Sequence, residues 1–104
     1  MNVEFKKDYL QELFEKGKCT DKKIRFPSQV IKKYCQRVET LMSAPKPEAL
    51  SPLKSLNFEA LSGNKKGLFS IRIDLKYRLE FSIDQDSDTL LSICNLQDIS
   101  NHYD

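Results

Sequence analysis

Hydrophobic positions along this chain recur with helical spacing up to about residue 42 and alternate from residue 68 onward. The first apolar group, "VEF" at 3–5, reads as a short opening strand. In "KKDYLQELFEKGK", Leu10, Leu13 and Phe14 lie on one helical face, and Gly17 stands where a C-terminal cap is expected. The connector "KCTDKKIRF" is basic, and Pro27 and Ser28 suit the first turn of a second helix. Within "QVIKKYCQRVETLMSA", Val30, Ile31, Tyr34, Cys35, Val38, Leu41 and Met42 form an apolar stripe opposite Lys32, Lys33, Arg37 and Glu39. That pattern predicts an amphipathic helix packed on an apolar surface. Pro45, Pro47 and Pro52 forbid continued helix, so "PKPEALSPLKSL" is expected to cross the surface.

From Leu68 the period falls to two. Phe69, Ile71 and Ile73 alternate with Ser70, Arg72 and Asp74; Tyr77, Leu79, Phe81 and Ile83 alternate with Arg78, Glu80, Ser82 and Asp84. Two half-buried antiparallel strands joined by a tight loop are predicted, then a turn at "DQDSDT", a third strand "LLSICNL" and a short tail. The expected architecture is a single α+β domain over 1–104, with two N-terminal helices packed on one face of a small twisted antiparallel β-sheet. If Ile73 pairs with Tyr77 around a three-residue loop, Arg72 lies opposite Arg78 on the polar face. Like charges directly opposite each other destabilise a sheet. The pair therefore suggests an anionic ligand, with solvation, or pairing to Glu80 and Asp74, as the structural alternative. A one-residue slip would send one arginine to the core side.

Composition adds exclusions. With 39% hydrophobic and 31% charged residues, and few Gly or Pro, the chain has the make-up of a globular protein rather than a disordered one. No apolar run approaches the roughly 18–20 residues that span a membrane. The start "MNVEFKKDYL" lacks a signal peptide's apolar middle, so a cytoplasmic protein is expected. Cys19, Cys35 and Cys94 are widely spaced with no CxxC pair, against a disulfide framework or a zinc site. Cys35 and Cys94 fall inside apolar patterns and read as small core residues. The net charge of +2 hides an asymmetry: residues 1–78 carry all 17 basic residues and 9 acidic ones, whereas residues 79–104 carry 6 acidic residues and no Lys or Arg. This permits a face that binds polyanions, or a surface mixed in space though not in sequence.

Recognisable cofactor and metal motifs are missing. "DQDSD" begins like a calcium loop but has Thr89 at its sixth position and Asn95 at its twelfth, so a solvated turn is expected and no metal. "GNKKG" at 63–67 lacks the Gly-Lys-Ser/Thr ending of a P-loop. Metal-free chemistry on a phosphodiester remains open. RNA cleavage through its own 2′-hydroxyl needs a base, cations for the pentacoordinate phosphate and an acid for the departing oxygen. Arg72 and Arg78 can supply the cations. His102, the only histidine, can act as base or acid, or be an ordinary terminal residue. Tyr103 is a weaker proton donor and a platform for stacking an unpaired base.

At this point the chain resembles the HigB branch of the RelE/ParE superfamily of toxins from bacterial type II toxin–antitoxin systems. "FKKDYLQELFEKG" is similar to the family's opening strand and helix. "LSGNKKGLFSIRIDLKYRLEF" resembles its central signature: Leu-x-Gly, a basic turn, Gly, an aromatic, Ser-Ile-x-Ile, then an aromatic-Arg pair. The tail "SNHYD" resembles its terminal histidine–tyrosine motif. The resemblance implies a RelE-like toxin that enters the ribosomal A site and cleaves mRNA without metal or cofactor. It also implies a helix-turn-helix, HigA-like antitoxin, through which alone the toxin would reach DNA, and no membrane partner. Carried over by position, Arg78 matches the phosphate-contacting arginine, and Arg72 a basic or polar strand position. His102 and Tyr103 match the catalytic or stacking pair. Lys65, Lys66 and Lys76 are expected RNA contacts. Where some relatives carry histidine and lysine before the glycine turn, this chain has Glu59 and Ser62; where some end Asp-Tyr-His, it reads Asn101, His102, Tyr103. Two other readings share the fold: a non-enzymatic ParE-like toxin that binds DNA gyrase, and an inactive antitoxin-binding remnant.

Overall fold

The computed structural model describes residues 1–101. Helix α1 (Asp8–Lys16) carries Asp8 in its first turn and Lys16 in its last, each complementing the helix dipole. It stops at Gly17, where a φ of 72° lets the Gly17 N–H turn back to the Leu13 carbonyl at 3.0 Å. Helix α2 (Ser28–Ser43) follows Pro27 and buries Val30, Tyr34, Val38 and Leu41. Its apolar seam is narrower than the sequence suggests. Ile31 and Cys35 are half-buried, and Met42, in the last turn, is exposed. The Tyr34 hydroxyl donates to the Leu10 carbonyl at 2.7 Å and fixes the two helices together. Burial pushes that phenol well above its ordinary pKa.

Five strands form one sheet: β1 (Asn2–Phe5), β2 (Glu59–Ala60), β3 (Phe69–Arg72), β4 (Arg78–Gln85) and β5 (Ser92–Ser100), in the order β1-β5-β4-β3-β2. The helices cover one face, where Leu10, Leu13, Val38 and Leu41 meet Ile71, Leu79, Phe81 and Leu96 in a single cluster. The α+β expectation holds, with one difference at the edge. Strand β1 runs parallel to β5, from Asn2↔Ile93 to Phe5↔Leu96, so the sheet is mixed rather than antiparallel. Alternation within one strand carries no information about its direction, and β1 meets a partner from the far end of the chain.

Two further expectations are corrected. The third strand begins at Ser92 and runs to Ser100, beyond "LLSICNL". Leu90 and Leu91 are exposed in the turn, Leu90 with a φ of 60°. The turn is closed by Asp86, whose carboxylate accepts the Asp88 and Thr89 amides; those bonds hold its carboxyl below the ordinary range. The proline-rich crossing segment is also more than a surface strap. Its 3₁₀ turns, Pro47–Leu50 and Lys54–Leu56, insert Leu50 and Leu56 into the core. No helix among the described residues is long and apolar enough to cross a membrane. If this segment is part of the core, Leu50→Ala should cost about 2–5 kcal/mol in urea unfolding, while Leu53→Ala, at an exposed position, should cost less than about 0.5. Equal midpoints for the two variants would contradict the packing.

Candidate functional site

The β3–β4 hairpin has the register expected from its alternation. The Ile73 amide donates to the Tyr77 carbonyl at 2.9 Å, and Arg72 lies opposite Arg78. Asp74 shapes the intervening loop, its Oδ1 accepting the Lys76 and Tyr77 amides at 2.8 Å each. Side-chain alternation then sends Ser70 and Arg72 of β3, and Arg78 and Glu80 of β4, to the face away from the helices.

The two arginines occupy unlike surroundings. Arg78 is only 4% exposed. Its Nε donates to Ser70 Oγ at 2.8 Å, and its Nη2 to the carbonyls of Asn57 (2.5 Å) and Ser70 (3.3 Å). The same Nη2 lies 3.2 Å from Glu59 Oε1 on β2. Arg72 is half-exposed, and its carbonyl accepts the Arg37 Nε at 2.8 Å. Arg78 meets Glu59 rather than solvent, and Glu80 is bound by Lys65 Nζ at 2.7 Å. In each ion pair one partner is buried and the other reaches solvent, with side-chain exposures of 5% and 49% for Arg78 and Glu59, and 5% and 38% for Glu80 and Lys65. A buried charge left without its partner is strongly destabilising, so these contacts hold the network together.

This face is drier than a two-layer domain requires. Ser70, Arg78, Glu80, Asn95 and Ser100 are all buried. Ser100, opposite Arg78 on β5, has a buried Oγ with no hydrogen-bond partner among the described residues. A guanidinium pinned by a hydroxyl, two backbone carbonyls and a carboxylate is a preorganised cation, suited to stabilising developing negative charge on phosphate.

The other sequence candidates are scattered around it. Lys65 is engaged with Glu80; Lys66 and Lys76 are exposed, and Lys76 Nζ sits 5.5 Å from the Tyr77 ring centroid. His102 and Tyr103 lie outside the described residues. Two of the thiols are not poised for nucleophilic work: burial raises Cys35 and pushes Cys94 up to about 12. Sequence reading missed Ser70, the Asn57 carbonyl and the burial of Glu80. The signal for two of them was present, because period-two alternation puts Ser70 and Glu80 on the arginine face. Nothing in the pattern showed that this face would be buried.

With this geometry in view, comparison with known proteins is informative. Residues 3–93 match the family described as RelE-like toxin of type II toxin–antitoxin system HigB. Toxin HigB-1 of Vibrio cholerae serotype O1 is 35% identical over 82 residues, covering 78% of this chain and 82% of that one. Among solved structures, a YoeB/ParE toxin from Agrobacterium tumefaciens superposes with a TM-score of 0.56 at 15% identity, covering 99% of this chain and 100% of the other. The likeness to that structure is one of fold.

The network makes a structural prediction. Ser70→Ala removes the acceptor for Arg78 Nε in a buried setting and should lower stability by about 2 kcal/mol. A urea midpoint unchanged by the substitution would mean that Ser70 does not hold the guanidinium.

Proposed function

This chain belongs to the HigB family of RelE-like toxins of type II toxin–antitoxin systems, and from that premise we propose that it cleaves mRNA on the ribosome without a metal ion. The observation that carries the reading is the fixed guanidinium of Arg78 with Arg72 opposite it on the same sheet face. Those two groups supply the cationic part of a 2′-hydroxyl cleavage. The 2′-oxygen attacks the adjacent phosphorus as its proton passes to a base. Arg78 and Arg72 offset the charge that gathers on the phosphate oxygens, and the 5′-oxygen departs with a proton from an acid. His102 and Tyr103 are assigned to the proton transfers and to stacking the base, and Lys66 and Lys76 to backbone contacts. Lys65 contributes to RNA only by giving up part of its bond to Glu80.

As a type II toxin the protein has an antitoxin partner. We take that partner to be a helix-turn-helix protein of the HigA type, and the site of action to be the cytoplasm, where mRNA is translated.

Primer extension on a defined mRNA after brief induction tests the proposal. Arg78→Ala is a poor probe, because it empties a buried, hydrogen-bonded position. Arg72→Ala and Arg78→Lys disturb the fold less. Cuts should fall within codons, require translation of the message, drop by about 10²-fold in either arginine variant, and vanish in His102→Ala. Intact mRNA in cells whose growth has stopped would overturn the nuclease reading.

A further inference from the structure

A second concentration of positive charge lies between α2 and the β3–β4 hairpin. Gln29, Lys33 and Arg37 are spaced i, i+4, i+8 on α2 and therefore form one row of donors. With Arg72, Ile73, Asp74 and Leu75 of the hairpin they line a cleft of about 410 Å³, within the usual range of roughly 300–1,000 Å³ for ligand sites. Lys33 and Arg37 are like charges at i, i+4, an arrangement that destabilises a helix. None of Lys33, Arg37 and Arg72 has a carboxylate within salt-bridge distance among the described residues. The one acid lining the cleft, Asp74, is held in the loop by its Oδ1, which accepts the Lys76 and Tyr77 amides. Arg37 is oriented by its Nε bond to the Arg72 carbonyl. At the rim Leu75 is 91% exposed, an apolar side chain that the fold does not use.

We propose that this cleft is a phosphate-binding subsite for the RNA chain, separate from the Arg78 network and joined to it along β3, where the Arg72 carbonyl accepts the Arg37 Nε. Lys33 and Arg37, cations one helical turn apart and without a salt-bridged carboxylate among the described residues, match a phosphodiester, and the planar guanidinium of Arg37 suits its oxygens. The exposed Leu75 beside them favours a polymer that carries sugar and base along with phosphate over a bare inorganic anion. The inference rests on RNA being the substrate, and it extends the contact surface from the sheet face to α2.

Binding can be read without cleavage. Fluorescence anisotropy of a labelled single-stranded 2′-O-methyl RNA, titrated with the full chain between about 50 and 200 mM salt, gives the slope of log K against log salt. The slope should become shallower by about 0.7 for each cation removed, in Lys33→Gln and again in Lys33→Gln/Arg37→Gln. Arg37→Lys, which loses the oriented fork but keeps the charge, should retain the parental slope. Lys33 is exposed and has no salt-bridged carboxylate among the described residues, so its substitution changes charge without disturbing packing. Unchanged slopes in both glutamine variants would overturn the subsite, as would absence of RNA binding by the unsubstituted chain at low salt. Displacement of the RNA by poly-glutamate at matched charge, with the same sensitivity to the variants, would reassign the cleft to an acidic protein segment. Because the probe cannot be cut, these results are independent of primer extension: a chain that cuts mRNA with unaltered slopes loses only the cleft.

Discussion

A guanidinium taken almost wholly out of water sets the terms for the sheet's second face. Arg78 can be buried only because Ser70, two backbone carbonyls and Glu59 meet its donors. Each partner arrives by a different route. Ser70 comes from the neighbouring strand, through the hairpin register. The Asn57 carbonyl comes from the segment just before β2, at a residue with a φ of 46°. Glu59 comes from β2 itself, which pairs with β3 through only two residues. The irregular stretch between α2 and β3 is thus tied to the sheet from both sides: Leu50 and Leu56 sink into the core, while Asn57 and Glu59 meet the arginine.

This dual anchoring explains how a small domain can keep a charged group in fixed position. The helices give the sheet a rigid apolar backing, with Tyr34 joining α1 to α2. The opposite face is then free to carry polar groups whose geometry is set by alternation. Charge on that face is balanced locally: Arg78 against Glu59, Lys65 against Glu80. In the α2 cleft, by contrast, neither Lys33 nor Arg37 has a salt-bridged carboxylate among the described residues.

Much of this was legible in the residues. Leu10, Leu13 and Tyr34 announce helices because burial repeats every three to four residues, and Gly17 marks a stop that few other residues can adopt. The Arg72–Arg78 register was legible because strand alternation and a three-residue loop admit one pairing. What escaped has a common cause: it depends on partners distant in sequence. Strand β5 continues through polar Gln97 and Asp98 because Tyr9 and Lys7 of the N-terminal region bind the Asp98 carboxylate, and the ladder absorbs an irregularity between Glu80 and Phe81. Ser70 and Glu80 look like solvent-facing residues until Lys65 and Arg78 are placed upon them. The candidate tail, His102 and Tyr103, lies outside the described residues, and no periodicity constrains it.

The parallel edge has a consequence for how the protein comes into being. Strand β1 finds its hydrogen-bonding neighbour in β5, 91 residues later. Pairings so distant raise contact order and delay closure of the fold. During synthesis α1, α2 and the β3–β4 hairpin can form before β5 emerges, but the sheet lacks the strand that joins β1 to β4. The nascent chain therefore carries its basic helix and both arginines before the scaffold that aligns them is complete. Assembly of the working toxin waits on the making of β5.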